Sequence, residues 1–124
     1  MNNHELIKSI TQNFTVQNVK IPVSFMYYEA HNQPYIVWMQ QDQDQSYSGD
    51  DELLGFVEYY DFDVYSKGNY LEIIEKLKAL LKENGFKYQP SRSSADLFET
   101  DTGYYHKTLN FAILRQESEE IISG

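Results

Sequence analysis

The 124-residue sequence contains no cysteine, which excludes disulfides, thiolate metal sites and cysteine nucleophiles together. Its three prolines, Pro22, Pro34 and Pro90, fall between periodic segments, where turns and strand edges tolerate them. The six glycines never cluster, so there is no phosphate-cradling loop. Positive charge is scarce: 10 Lys and Arg stand against 19 Asp and Glu, for a net charge of −9. Such a chain is a poor candidate for nucleic-acid binding through phosphates, sequence-specific binding included, or for an anionic membrane surface. No apolar run approaches the roughly 18 residues of a membrane span. Met1 to Glu5 lacks the basic and apolar blocks of a signal peptide, so the expected setting is the cytoplasm in which the chain is made.

What is present is apolar content of 41% with 15% aromatics, enough for one real core at this length. Residues 1–115 are expected to form a single domain, followed by an acidic tail over 116–124. Leu6, Ile7 and Ile10 predict a short helix over 3–13, capped by Asn2 or Asn3. Alternation predicts strands at 23–29 and 35–41, with a turn at His31–Pro34, and a long strand at 53–66. The 35–41 run is apolar on both faces and should be central. Residues 42–51 are polar and read as a long exposed hairpin loop. A helix over 69–84 follows, with Leu71, Ile74, Leu77 and Leu81 on one face, an Asn69–Glu72 capping box, and Asn84-Gly85 as its stop. Residues 86–90 and 95–100 read as one interrupted strand, and 104–115 as the last. The expected fold is α+β: an antiparallel sheet of four to five strands with two helices, the main one packed across its apolar side.

Asp101-Thr102-Gly103 matches the aspartic-protease tripeptide, but that chemistry needs a buried pair of such carboxylates. Between alternating runs the same tripeptide is ordinary turn chemistry. Asp42, Asp44, Ser46 and Gly49 suggest a calcium loop, yet the sixth and twelfth positions counted from Asp42 are Tyr47 and Leu53, and the frame fails. His4, His31 and His106 lack zinc-ligand spacing. No G-x-S-x-G elbow occurs. The expectation is therefore no catalytic residue, no metal site and no cofactor. Two bulk features remain. Tyr27-Tyr28, Tyr59-Tyr60 and Tyr104-Tyr105 each place one ring outward if they lie in strands, as interface aromatics do. Acids crowd 42–63 without a single Lys or Arg, while half of the basic residues fall between Lys67 and Lys87. An acidic edge and a basic helix can pair copies of one chain into a ring.

The order of elements resembles the tail-completion, or head–tail joining and tail-terminator, proteins of long-tailed bacteriophages. The resemblance runs from about residue 4 to 115. It rests on the N-terminal helix, Pro34-Tyr35-Ile36-Val37, the acidic Gly-containing stretch, Val64-Tyr65-Ser66 running into Tyr70 to Leu77, and the closing Tyr104-Tyr105-His106-Lys107-Thr108-Leu109-Asn110-Phe111. What it implies is a virion structural protein and no enzyme. Its partners would be itself in a hexameric ring, the tail tube protein and the head connector protein. On that footing Asp42, Asp44, Asp50, Asp51 and Glu52 are the candidate assembly loop, at the pore or on the tube-facing rim, where negative charge keeps DNA from adhering. The competing reading is an acidic intracellular binding module, such as an immunity-type protein neutralising a basic partner.

Overall fold

The computed structural model describes residues 2–29, 32–47 and 53–115. The first element is α1 (Asn3–Thr11). The Asn2 side chain accepts from the Glu5 backbone N–H at 2.8 Å while the Asn2 N–H donates to the Glu5 carboxylate, a complete capping box. A small hairpin follows, β1 (Thr15–Val16) and β2 (Val19–Lys20), turned by Gln17 and Asn18 at positive φ. Strands this short carry no legible period, and sequence reading passes over them. Their neighbours Phe14 and Ile21 enter the core with Val16.

The main sheet holds β3 (Val23–Phe25), β4 (Tyr35–Tyr47), β5 (Leu53–Ser66), β6 (Lys87–Tyr88), β7 (Leu97–Glu99) and β8 (Tyr104–Leu114). The order is β3-β4-β5-β8-β6, with β7 also on β8. β6 and β7 lie along the same strand, separated by a 3-10 turn at Pro90–Arg92, so the interrupted strand of the sequence reading is present. Helix α2 (Tyr70–Glu83) packs over β5 and β6. The α+β class expected from the sequence is thus the observed one.

Four details differ from expectation. First, β3 ends at Phe25 and runs parallel to β4, so the 26–34 connection is not a hairpin. Met26, at φ 68°, breaks the strand: its neighbour Tyr27 donates from its N–H to the Phe25 carbonyl at 2.8 Å, a γ-turn. Second, β4 runs on to Tyr47, so Asp42 and Asp44 are strand residues rather than loop residues. Pairing there comes from backbone bonds to β5, which any side chain permits, and the alternation that marks a half-buried strand is missing from the sequence. Third, Asn69 caps α2 in the left-handed region (φ 51°) without a side-chain bond, and Glu72 accepts instead from Gln17 Nε2 at 2.6 Å. Fourth, Leu71 points to solvent, and Ile73 takes its expected place in the core.

Two sheet faces result. One carries Ile36, Trp38, Tyr60, Phe62, Val64, Leu109 and Phe111, closed by Ile7 of α1 and by Ile73, Leu77 and Leu81 of α2. At its rim Glu58 accepts from Asn3 Nδ2 at 2.9 Å and from the Tyr60 hydroxyl at 2.7 Å. Burial and that carboxylate push the Tyr60 phenol well above the usual tyrosine range. Among the described residues no α-helix covers the other face.

Candidate assembly surfaces

The helix-free face is built from the alternate residues of β4, β5 and β8. A bulge at Gln41 shifts the phase of β4: Gln40 lies opposite Tyr60, but Asp42 lies opposite Tyr59, on the open face. Gln41 itself donates to Asp61 at 2.5 Å. Asp61 also accepts from Asn110 Nδ2 at 2.7 Å, and Asp63 accepts from the Thr108 hydroxyl at 2.6 Å. Arg92, from the 3-10 turn, lies 3.8 Å over the Tyr59 ring and bonds Asp42 at 3.0 Å. Asp42, Asp61 and Asp63 are thereby held by donors of the same chain.

Toward the other end of the face the rings stack. Tyr35 lies parallel to Tyr65 at 4.5 Å, and Tyr65 to His106 at 4.1 Å. Burial and the Asp63 charge push the Tyr65 phenol up to about 12. His106 sits 3.6 Å from Asp63 and 3.6 Å from Glu99. The Thr108 hydroxyl bonds Asp63 and not the imidazole, so the three do not form a relay from hydroxyl to base. His4 lies at the opposite face, against the rings of Phe25, Trp38 and Tyr60. Asp101-Thr102-Gly103 forms the exposed β7–β8 turn, with Gly103 at φ 78° donating to the Glu99 carbonyl at 2.8 Å. Among the described residues no group of three His, Asp or Glu could hold a metal ion. No helix among them is long and apolar enough to cross a membrane.

Of the candidate loop residues, Asp42 lies on the open face of β4 and Asp44 lies in β4 opposite Val57. Asp50, Asp51 and Glu52 lie outside the described residues, as do His31 and the 116–124 tail. Sequence reasoning missed Arg92 as the partner of Asp42, fifty residues away. It also missed where the exposed apolar side chains collect. Phe25, Met26 and Tyr27 stand out beside β3, while Leu97, Phe98 and Tyr105 stand out on β7 and β8. The tyrosine pairs were the available signal: Tyr60 and Tyr104 are buried, and Tyr105 points outward. Beside Tyr105 a cleft of about 650 Å³ is lined by Tyr70, Leu71 and Asp96. Tyr70 donates to Asp96 at 2.9 Å; burial and this bond raise the phenol above the usual range, and the same bond lowers the Asp96 carboxyl.

No family model matches this chain, and no curated protein matches it.

Proposed function

We propose that this protein is a structural component of a bacteriophage tail. It self-associates as a ring, hexameric by resemblance, at the head-proximal end, where it terminates the tail tube and joins it to the head connector. It is made in the bacterial cytoplasm and ends in the virion. The observation that supports this reading best is the β4–β5 ribbon. Among the described residues β8 pairs with β5 as far as Val57, with one further bond from the Arg115 N–H to the Phe56 carbonyl at 2.8 Å, and beyond Trp38 no described strand pairs with the outer edge of β4. A paired ribbon that outruns its own sheet is an arm for contacting neighbours, and an open strand edge is a template for another chain. Its Gln- and Asp-rich sequence, with a bulge at Gln41, makes that edge selective rather than generally adhesive. The acids of the 42–52 segment belong, on this reading, at the pore or the tube-facing rim.

The acidic binding module is the weaker reading. Neutralising a basic partner calls for carboxylates free to receive it, and Asp42, Asp61 and Asp63 already accept from Arg92, Gln41, Asn110 and Thr108. A phage genome carrying an early stop codon in this gene tests the proposal. DNA-filled heads and separate, unjoined tails are the expected products. A normal yield of joined, infectious particles would sink it.

A further inference from the structure

We infer that the cleft beneath Arg92 on the helix-free face binds a calcium-sized divalent cation through Asp61, Asn110, Asp42 and Gln41. The inference is independent of the ring reading. The cleft encloses about 280 Å³ and is lined by those four residues and Arg92. Gln41 and Asp42 come from β4, Asp61 from β5 and Asn110 from β8, with Asp61 and Asn110 opposite each other in register. Ligands drawn from three strands far apart in the chain leave no spacing motif in the sequence.

Two buried groups here lack what a cation supplies. Asp61 is 8% exposed, and its donors are the neutral amides of Gln41 at 2.5 Å and Asn110 at 2.7 Å. Among the described residues no Lys, Arg or His pairs with it, and Arg92 bonds Asp42 instead. A carboxylate withdrawn from water without an opposite charge is costly. Asn110 is 2% exposed, and its Oδ1 has no hydrogen-bond partner, although the side chain lines the cleft. Buried amide oxygens without a donor are rare. A water molecule would satisfy that oxygen but leave the Asp61 charge unmatched, whereas a cation answers both.

The donor types choose the ion. The cleft offers carboxylate and amide oxygens and neither imidazole nor sulfur, a hard set that suits calcium and magnesium over zinc or copper. Calcium accepts amide oxygens in uneven geometries, while magnesium demands near-octahedral order and keeps its water. Gln41 brings its oxygen to the cleft by a half-turn about its last torsion, which is soft in amides. Two carboxylates and two amides make the site, so it needs no third acid. Arg92 is the competitor. Its pair with Asp42 is exposed, at 37% and 52% of the two side chains, and pairs of this kind are weak, so the ion can displace the guanidinium and take Asp42. A bare ion reaches Asp61 where a basic protein surface does not.

Isothermal titration calorimetry with calcium chloride, beside thermal melts with and without it, tests the assignment. The parent chain should bind one calcium ion and melt higher in its presence. Asp61→Asn, and Asn110→Ala with net charge unchanged, should each weaken binding by roughly tenfold or more while circular dichroism stays that of the parent chain. Asp101→Asn removes the same charge as Asp61→Asn from an exposed turn and should leave binding nearly unchanged. Arg92→Gln, on the surface, should tighten binding, because the competitor for Asp42 is gone. Equal losses in Asp61→Asn and Asp101→Asn would mean diffuse attraction to an acidic chain and would overturn the site. So would weaker binding in Arg92→Gln, a variant that decides the matter even if the buried substitutions fail to fold. Absence of calcium binding in both the parent chain and Arg92→Gln would also overturn it, and leaves the ring reading standing.

Discussion

Ile73 and Leu77 are fully buried against the sheet, whereas Leu71, two positions before Ile73 on the same helix, is 69% exposed. Ile73→Ala or Leu77→Ala should therefore cost about 2–5 kcal/mol, and Leu71→Ala close to nothing, read from urea denaturation midpoints. Equal costs at Leu71 and Leu77 would mean that the helix is rotated. Tyrosine ionisation supplies a second prediction at this scale. Tyr60, Tyr65 and Tyr70 all have phenols raised in the folded state, chiefly by burial. The unfolded chain ionises its tyrosines near pH 10, about where model phenols titrate, while the folded chain keeps these protons to higher pH. The folded state then binds more protons, so stability is complete below about pH 10 and falls as pH rises through the folded values. Denaturation midpoints measured upward from about pH 8 should decline, and less steeply in Tyr60→Phe. A flat profile would contradict the burial of these phenols. The spacing of Ile74, Leu77 and Leu81 made the buried stripe legible in the sequence. It could not exclude Leu71, which at 100° per residue falls just outside Ile74, itself at the margin of a stripe centred on Ile73, Leu77 and Leu81.

At the scale of the element, the ends of α2 show which signals are local. Gly85 adopts φ 91°, its N–H donates to the Lys82 carbonyl and that of Phe86 to the Leu81 carbonyl, completing a Schellman motif. Gly85→Ala should cost roughly 1 kcal/mol, since the left-handed region penalises a Cβ. Gly68 has an ordinary φ and open space around its missing Cβ. Gly68→Ala should be neutral or stabilising by up to about 1 kcal/mol, and a loss as large as that at Gly85 would contradict this account. The helix stop was legible because glycine chemistry is local. The start was not: Asn69 and Glu72 have capping-box spacing, yet Gln17 of the β1–β2 turn takes Glu72, a partner that no local window contains. The same limit hid the outer half of β4. A ribbon held by backbone bonds leaves no hydropathy signal, and Gln40 to Ser46 looks like a loop until β5 is laid beside it.

At the scale of the molecule, the sequence showed segregated charge and paired tyrosines, but not that exposed Tyr27 lies beside the edge strand β3 while exposed Tyr105 lies on β8 next to β7, toward the other edge. That placement depends on strand order, and strand order depends on β3 running parallel to β4, which a polar connection between alternating segments does not announce. The acidic segment gives a prediction here. Changing Asp42, Asp44, Asp50 and Asp51 together to Asn should leave the thermal midpoint within a few degrees, because exposed ion pairs such as Asp42–Arg92 contribute about 0–1 kcal/mol. Tail joining or DNA passage should nevertheless be impaired, and a variant phage with normal joining and ejection would remove these acids from the pore or rim. The central claim is a ring that ends a tube, and electron microscopy of the purified protein added to growing tail tubes tests it most directly. The account predicts ring-shaped density on one end of each tube and no elongation past it. Tubes that stay bare at both ends and continue to grow, with the protein monomeric beside them at every concentration, would contradict it.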